Sequence, residues 1–186
     1  MKPFLLKDAV RATGGRYIGP ESALEREVTL VTSDSRTAGQ GALFFAFRGE
    51  RVDGHDFMAD CIDRGALCCV SERLPAGEAE QPCIVVDSTL RAIGALVAWH
   101  RSRFDIPVIG ITGSVGKTTT KEMIAAVLGV RFNTHKTEKN HNSELGVPWT
   151  LLRLGDENQV SVVEMGINSF GEMRRLTAIV HPTVAV

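Results

Sequence analysis

The chain has 186 residues, of which 44% are hydrophobic and 23% are charged, and its formal net charge at pH 7 is −1. This composition is typical of a globular chain with one large domain or two small ones. A charge so close to zero gives no reason to expect nucleic acid or an anionic membrane as a partner. No apolar run approaches the roughly 20 residues of a membrane span, and the first 15 residues lack a signal-peptide core. We therefore expect a cytoplasmic protein without membrane insertion.

Short helix and strand patterns alternate through residues 1–103. Helices are predicted over 5–12 and 56–64, each followed by glycine, and a third begins after Ser88, a good N-cap. Strands are predicted over 28–32, 43–47, 67–71 and 83–86. The polar stretch 101–107 ends on a proline and predicts a linker between a small N-terminal α/β domain (1–103) and a second domain (107–186). No C-x-x-C pair occurs, so we expect reduced, structural thiols at Cys61, Cys68, Cys69 and Cys83.

The second domain has the alternating pattern of a parallel α/β sheet. A strand buried on both faces is predicted over 108–111, then a helix over 117–128 with Gly129 as its C′ residue. Its recurring positions are Thr120, Met123, Ile124, Val127 and Leu128. Further strands are predicted to start at 130–133, 160–164 and 183–186, with a helix over 171–179. Because the sequence stops inside an apolar strand, we expect a truncated fragment of a longer chain.

The stretch GITGSVGKTTT, residues 110–120, predicts a phosphate-binding loop. A strand that leads through a glycine-rich turn into a helix directs free backbone N–H groups and the positive end of the helix dipole at one spot. Lys117 can reach the β- and γ-phosphates of ATP, and the Thr118 hydroxyl can ligate Mg²⁺. The alternative is a plain strand–helix turn with a solvated lysine, and the usual Walker glycine is absent, since Ile111 stands there. The predicted nucleotide-binding residues are Gly113, Ser114, Val115, Gly116, Lys117, Thr118 and Thr119.

A second Mg²⁺ ligand is predicted at Glu164, which ends the apolar run 160–163. Ligands collect at the carboxyl ends of parallel strands, and Mg²⁺ prefers hard oxygen donors. The alternative is an ordinary glutamate that ends a strand.

Several segments together resemble one known family. Thr112–Thr118 matches the pattern T-G-[ST]-x-G-K-[ST], and NHNSELGVPWTLLRL, VVEMGINSFGEM and the upstream SDSRTAGQGALFFAFRGERVDGHDF occur in the expected order. In these segments, from about Val31 to Val186, the chain is similar to the Mur ligases. The resemblance explains the missing Walker glycine, because this family uses the shorter spacing. It implies an N-terminal domain that holds the UDP-sugar end of the substrate, followed by a truncated P-loop parallel-sheet domain of the family's central type.

The resemblance also implies an activity. LGVPWTLLRL and MGINSFGEM are most similar to the family member that adds D-alanyl-D-alanine to UDP-N-acetylmuramoyl-tripeptide in peptidoglycan synthesis. That member often has glycine at the position of Lys139 and asparagine at the position of Ser143. In this family ATP phosphorylates the peptide carboxylate, and the incoming amine attacks the acyl phosphate. Lys117 would be the catalytic residue that stabilises the transferring phosphoryl group, with Thr118 and Glu164 holding Mg²⁺.

Substrate contacts are implied by the same resemblance. Ser35 and Arg36 occupy the family's S-R position near the uridine diphosphate, and an arginine fork suits phosphate. Glu50 and Arg51 belong to a polar loop that could hold a nucleotide sugar, or could be a solvated turn in which His55 caps the next helix. Asn142 belongs to a segment that faces the reacting groups, as do Asn140 and Asn168. The isolated histidines His100, His135 and His181 are expected to be structural.

Other functions remain open at this level. The chain could be another family member, such as the one that adds the third amino acid, although the threonine-rich T-T-P segment of that relative is absent. A P-loop kinase or GTPase is another possibility, which predicts a shorter N-terminal region and an N-K-x-D motif that the sequence lacks. A non-catalytic nucleotide-binding fragment is the third possibility. The family's adenine- and amine-binding residues would lie beyond Val186, so we expect that the chain alone cannot catalyse ligation. We also expect a monomer.

Overall fold

A computed structural model describes residues 1–49, 52–74 and 81–186. The chain divides into two compact units, which consist essentially of residues 3–96 and 97–186. The domain limits expected from the sequence, 1–103 and 107–186, stay a prediction. Within the described ranges, no helix has both the length and the apolar character that crossing a bilayer requires.

The first unit is built on a five-stranded sheet with the order β2-β7-β6-β5-β4. Neighbouring strands are parallel except for β2, which pairs with β7 in the antiparallel sense. A separate antiparallel pair joins β1 to β3. The elements are β1 (Phe4–Leu5), α1 (Leu6–Thr13), β2 (Arg16–Ile18), β3 (Glu27–Val28), β4 (Leu30–Thr32), β5 (Ala42–Phe45), α2 (Met58–Asp63), β6 (Cys68–Ser71), β7 (Cys83–Val85) and the start of α3 (Thr89–Ser102), with 3₁₀ turns at Glu21–Glu25 and Gly54–Phe57.

The core of the first unit lies against β5 and β6, whose residues are all buried. Phe44 and Cys69 pack there with Met58 and Cys61 from α2. All four cysteines are buried free thiols, as predicted from the sequence. Burial raises the pKa of Cys83 to about 12 and raises that of Cys69 further still. Because the reactive species is the thiolate, these thiols are chemically inert packing groups.

The second unit is a four-stranded, fully parallel sheet with the order β11-β8-β10-β9. The parallel α/β fold predicted from the sequence is therefore confirmed. β8 and β10 lie in the middle, and Ile111 at the end of one pairs with Glu164 at the end of the other. The elements are β8 (Val108–Ile111), α4 (Lys117–Gly129), β9 (Thr134–Lys136), α5 (Gly146–Leu152), β10 (Val160–Glu164), α6 (Glu172–Val180) and β11 (Val184–Ala185).

Helix α4 ends differently from the prediction. Gly129 is its last residue and has no positive φ, so its predicted C′ role is wrong. The chain continues in turns, in which the amide of Phe132 donates to the carbonyl of Leu128, and the next strand begins at Thr134 rather than at Val130. The helix therefore ends one residue later than the sequence pattern predicted, and the next strand begins four residues later.

The buried face of α4 also differs from the sequence pattern. Met123 and Val127 are 65% and 73% exposed, whereas Lys121 and Ala125 are buried against the sheet. Helical spacing of apolar residues predicted the helix correctly and the packing side in part, because Ile124 and Leu128 pack against the core of Ile111, Ala125 and Val162. Helix α5, which contains a proline in its first turn, was not predicted at all.

Candidate nucleotide-binding site

The phosphate loop connects the end of β8 to the start of α4. Its two glycines have positive φ, 130° at Gly113 and 80° at Gly116, a region that residues with a Cβ seldom adopt. Gly116 is the residue from which α4 begins. The backbone thus turns within residues 112–116 and presents the first N–H groups of the helix at the loop, as an anion site requires.

Lys117, the first residue of α4, folds back over this loop. Its Nζ donates a hydrogen bond of 2.7 Å to the carbonyl oxygen of Gly113. The ammonium group is therefore held at the same turn that exposes the backbone N–H groups. A phosphate at this loop would meet both sources of positive charge.

Glu164 lies beside the loop because β10 is the parallel neighbour of β8. Its side chain is only 1% exposed, so the carboxylate requires polar partners. The Thr118 hydroxyl donates to it, at 3.0 Å from Oε2 and 3.2 Å from Oε1. The side-chain amide of Asn142 donates to Oε1 at 2.8 Å. The backbone of the strand end is fixed as well, since the Glu164 amide donates to the Thr137 hydroxyl at 3.0 Å.

A cavity of about 320 Å³ brings these groups together. The lining residues are Ser114, Val115, Gly116, Lys117, Thr118, Thr119, Asn142 and Glu164. The structure therefore assembles the predicted loop residues around one space, with Gly113 shaping the turn, and places both predicted Mg²⁺ ligands there. The lining also includes Asn142, which the sequence analysis predicted only as a substrate contact.

The donor set fits a nucleotide-bound Mg²⁺ better than a metal held by protein alone. Thr118 and Glu164 offer a hydroxyl and a carboxylate, both hard oxygen donors. Mg²⁺ commonly takes one or two carboxylates and fills its remaining positions with phosphate oxygens and water. The residues that the structure describes contain no group of three or more His, Cys, Asp or Glu suited to hold a metal.

The predicted substrate residues lie in the first unit, on the loop after β4. The guanidinium of Arg36 forms two hydrogen bonds to the Asp34 carboxylate, of 2.9 Å and 2.7 Å, and is 86% exposed. These contacts lower the pKa of Asp34 to about 2. The Ser35 carbonyl accepts a hydrogen bond from Arg64 at 2.5 Å. Substrate binding by Ser35 and Arg36 stays a prediction, and Glu50 and Arg51 lie outside the described residues.

The neighbouring turn differs from the solvated alternative considered above. Asp53, rather than His55, caps the 3₁₀ turn, because its carboxylate accepts the amide of His55 at 3.0 Å. The His55 ring is buried and joins the Asp53 carboxylate, at 2.5 Å from Oδ1, to the backbone amide of Glu72. His55 thus has a structural role between two loops.

Two features escaped the sequence analysis. A cavity of about 600 Å³ in the first unit is lined by Arg16, Glu72, Asp87 and Arg91 among others, and its described lining includes none of the predicted site residues for which the structure gives a position. The second is Lys121, whose buried ammonium lies 3.8 Å from Glu164 Oε2. Its position one helical turn beyond Lys117 was a usable signal, because residues three or four apart share a helix face.

The fold and this loop define a protein of the phosphate-loop, parallel α/β class. Sequence models of one family match both units of the chain. The Mur ligase family, catalytic domain, matches residues 27–101, and the Mur ligase middle domain matches residues 111–186. The chain belongs to the Mur ligase family.

Individual relatives agree with this assignment. The UDP-N-acetylmuramoyl-tripeptide–D-alanyl-D-alanine ligase of Synechocystis is 44% identical over 157 residues, which are 84% of this chain and 35% of that protein. A crystal structure of MurF from Acinetobacter baumannii matches with a TM-score of 0.90 and 38% identity, over 100% of this chain and 40% of the other. The MurF ligase of Thermotoga maritima in complex with ADP matches with a TM-score of 0.77 and 30% identity, over 83% of this chain and 36% of the other. The chain spans about a third of the length of the curated relatives it matches.

Proposed function

We propose that this chain provides the UDP-substrate unit and the phosphate site of an ATP-dependent amide ligase of peptidoglycan synthesis, which joins D-alanyl-D-alanine to UDP-N-acetylmuramoyl-tripeptide. The observation that carries the proposal is the cavity in which Lys117, Thr118 and Glu164 meet the phosphate loop. Three relatives named for this activity, from Synechocystis, Bacillus subtilis and Escherichia coli, share 38–44% identity with the chain, and a structural neighbour contains ADP. A cytoplasmic location and a monomeric state are part of the proposal.

Each residue of the site has a role in this reaction. The loop backbone and Lys117 bind the phosphates of ATP and stabilise the charge that develops as the γ-phosphoryl group moves to the substrate carboxylate. Thr118 and Glu164 hold Mg²⁺, which supplies charge neutralisation at the phosphate oxygens when it is bound. Asn142 holds the Glu164 carboxylate in place through its 2.8 Å hydrogen bond. The amine of D-alanyl-D-alanine then attacks the acyl phosphate, which gives the amide and inorganic phosphate.

Binding experiments on the chain test the nucleotide part of the proposal. Calorimetric titration with ADP and Mg²⁺ is expected to give saturable heat, and Lys117→Met is expected to weaken binding at least tenfold. Lys136→Met is the matched control, because that lysine pairs with Glu122 on the surface and does not line the cavity. Absence of heat at millimolar ADP with the unaltered chain contradicts a nucleotide site.

The ligase part requires a longer protein, in which this chain is joined to the remaining two thirds of a relative. ADP release that depends on both UDP-N-acetylmuramoyl-tripeptide and D-alanyl-D-alanine supports the proposal. ADP release that ignores both contradicts it, and dependence on a different amino acid favours another member of the family. We expect no amide formation by the 186-residue chain alone, and a measurable product from it would overturn this expectation.

A further inference from the structure

Lys121 is a buried lysine close to the candidate site, and the proposed reaction gives it no role. It lies on α4 one turn beyond Lys117, and its side chain is 1% exposed. Burial of an ammonium group is costly unless acceptors surround it. The arrangement of those acceptors indicates its role.

Three acceptors from three segments surround the Lys121 ammonium. Glu122 Oε1 lies at 3.1 Å, the carbonyl oxygen of Lys139 at 3.4 Å and Glu164 Oε2 at 3.8 Å. Glu122 is 48% exposed and is shared with Lys136, so water competes for that pair. The other two acceptors are the buried carboxylate of the site and the backbone of the segment that leads to Asn142.

The segment 139–142 is held against Glu164 by few contacts. Lys139 has a φ of 50°, a left-handed conformation that is strained for a residue with a Cβ. Asn142 donates its side-chain amide to Glu164, and its carbonyl accepts the amide of Gly166 at 2.7 Å. Lys121 therefore contacts the carboxylate directly and also contacts the segment that carries the second donor to the same carboxylate.

We propose that Lys121 is a positioning residue that fixes the Glu164 carboxylate and the 139–142 segment relative to each other. The carboxylate oxygens of Glu164 are thereby held in one orientation before the metal-bound nucleotide arrives. The alternative is a buried pair that contributes only to general stability. A positioning role depends on the positive charge of Lys121, so removal of that charge should affect the 139–142 segment and Glu164 and leave the rest of the second unit unchanged. Its consequence for metal binding rests on the proposed function, whereas its effect on the segment does not.

The first test measures hydrogen exchange of backbone amides in Lys121→Met, which keeps the length of the side chain and removes the charge. Exchange at Gly166, whose amide donates to Asn142, is expected to be at least tenfold faster, with the β10 amides unchanged within twofold. Lys136→Met is the matched control, because it removes a lysine that pairs with the same Glu122 and is expected to leave Gly166 unchanged. Equal acceleration throughout residues 97–186, or no change at Gly166, overturns the proposal.

Lys121→Arg decides the same question while retaining the charge. It is expected to exchange more slowly at Gly166 than Lys121→Met does. Equal exchange rates in the two variants contradict a role for the charge.

The second test measures Mn²⁺ as a probe for the metal, by electron paramagnetic resonance in the presence of ADP. Lys121→Met is expected to raise the Mn²⁺ dissociation constant at least tenfold, while ADP binding without metal stays within twofold. A general loss of stability would lower the melting temperature and would change the dissociation constants for Mn²⁺ and for metal-free ADP by similar factors. Unchanged Mn²⁺ affinity overturns the link to the metal. If the unaltered chain binds no Mn²⁺ with ADP, the proposed function fails, and the exchange measurement still decides the role of Lys121.

Discussion

The Thr118 hydroxyl lies 3.0 Å from Oε2 of Glu164, although the two residues are 46 positions apart in the chain. One belongs to the first turn of α4 and the other ends β10. The contact joins the phosphate loop to the neighbouring strand, and it brings together the two oxygen donors that the proposed function assigns to Mg²⁺. Their separate roles can be tested by changing one oxygen at a time.

Thr118→Val is expected to weaken Mn²⁺ binding in the presence of ADP by about tenfold, or about 1.4 kcal/mol. The substitution keeps the shape of the side chain and removes the hydroxyl that faces Glu164. Thr120→Val on the same helix is the control, since Thr120 does not line the cavity. Electron paramagnetic resonance titration measures both variants. Equal affinities for Thr118→Val and Thr120→Val would remove Thr118 from the metal site.

Alanine at Gly116 and at Gly129 is expected to change stability in opposite directions. A Cβ at either position meets no atom within 4 Å, so crowding does not distinguish them. Gly116 has a φ of 80°, and alanine there costs about 1–2 kcal/mol. Gly129 is helical, where alanine gains about 0.5–1 kcal/mol. Urea unfolding followed by tryptophan fluorescence suits the measurement, because Trp99 and Trp149 both belong to the second unit. Changes of the same sign would show that φ does not determine the effect.

Lys139→Gly is expected to stabilise the second unit by roughly 1 kcal/mol. Glycine relieves the strain of the left-handed backbone, and this gain is larger than the cost of ordering a residue that is more flexible in the unfolded chain. Lys139 has a φ of 50°, and the carbonyl that Lys121 contacts is retained. Lys136→Gly, within strand β9, is the opposing control and is expected to destabilise. Thermal unfolding compares the two. A lower melting temperature for Lys139→Gly would indicate that its side chain contributes more than its conformation costs.

Acidification is expected to destabilise the second unit through His135. Burial lowers the pKa of His135 from 6.5 to about 4, and its ring contacts the Thr150 carbonyl at 3.0 Å and the Ser161 hydroxyl at 2.8 Å. Between pH 6.5 and 4 the unfolded chain binds a proton that the folded chain excludes. The free energy of unfolding therefore falls as the pH falls through this window, by about 1.4 kcal/mol per pH unit for one proton.

His100 adds to the same pH dependence, because burial also lowers its pKa to about 4. His135→Gln is expected to remove about half of the slope, measured by urea unfolding at several pH values. His181→Gln is the control, since the His181 side chain is exposed. An unchanged slope in His135→Gln would show that this ring titrates equally in the folded and unfolded states.

The strands that carry the site could be predicted because their signal is local. Residues 108–111 are a continuous apolar run and residues 160–164 are rich in valine, and both form strands of the parallel sheet with the predicted bounds. Glycines before Lys117 likewise predicted a loop whose φ angles require them. Adjacent parallel strands place their carboxyl ends together, so the closeness of Glu164 to the loop followed from the alternating pattern.

The remaining contacts depend on packing that no local pattern encodes. Lysine is usually a surface residue, yet Lys121 is buried, and its ammonium group contacts the carbonyl of Lys139 from a distant segment of the chain. Asn142 reaches Glu164 through a segment whose path depends on a left-handed residue. The sequence did not indicate that the Arg36 guanidinium pairs with the Asp34 carboxylate, and its predicted contact with phosphate stays a prediction. Charged side chains choose partners in three dimensions, which sequence spacing does not specify.

In the order β11-β8-β10-β9, the two central strands β8 and β10 are adjacent in the sheet but are not consecutive in the sequence. β8 carries the loop and β10 carries Glu164, yet β9 and α5 lie between them along the chain. The two halves of the site meet only after a long loop has closed, which costs chain entropy and slows folding. A partly folded chain would present the lysine-bearing loop without its acidic partner, so the pairing of a cationic loop with a buried carboxylate is a property that only the completed sheet possesses.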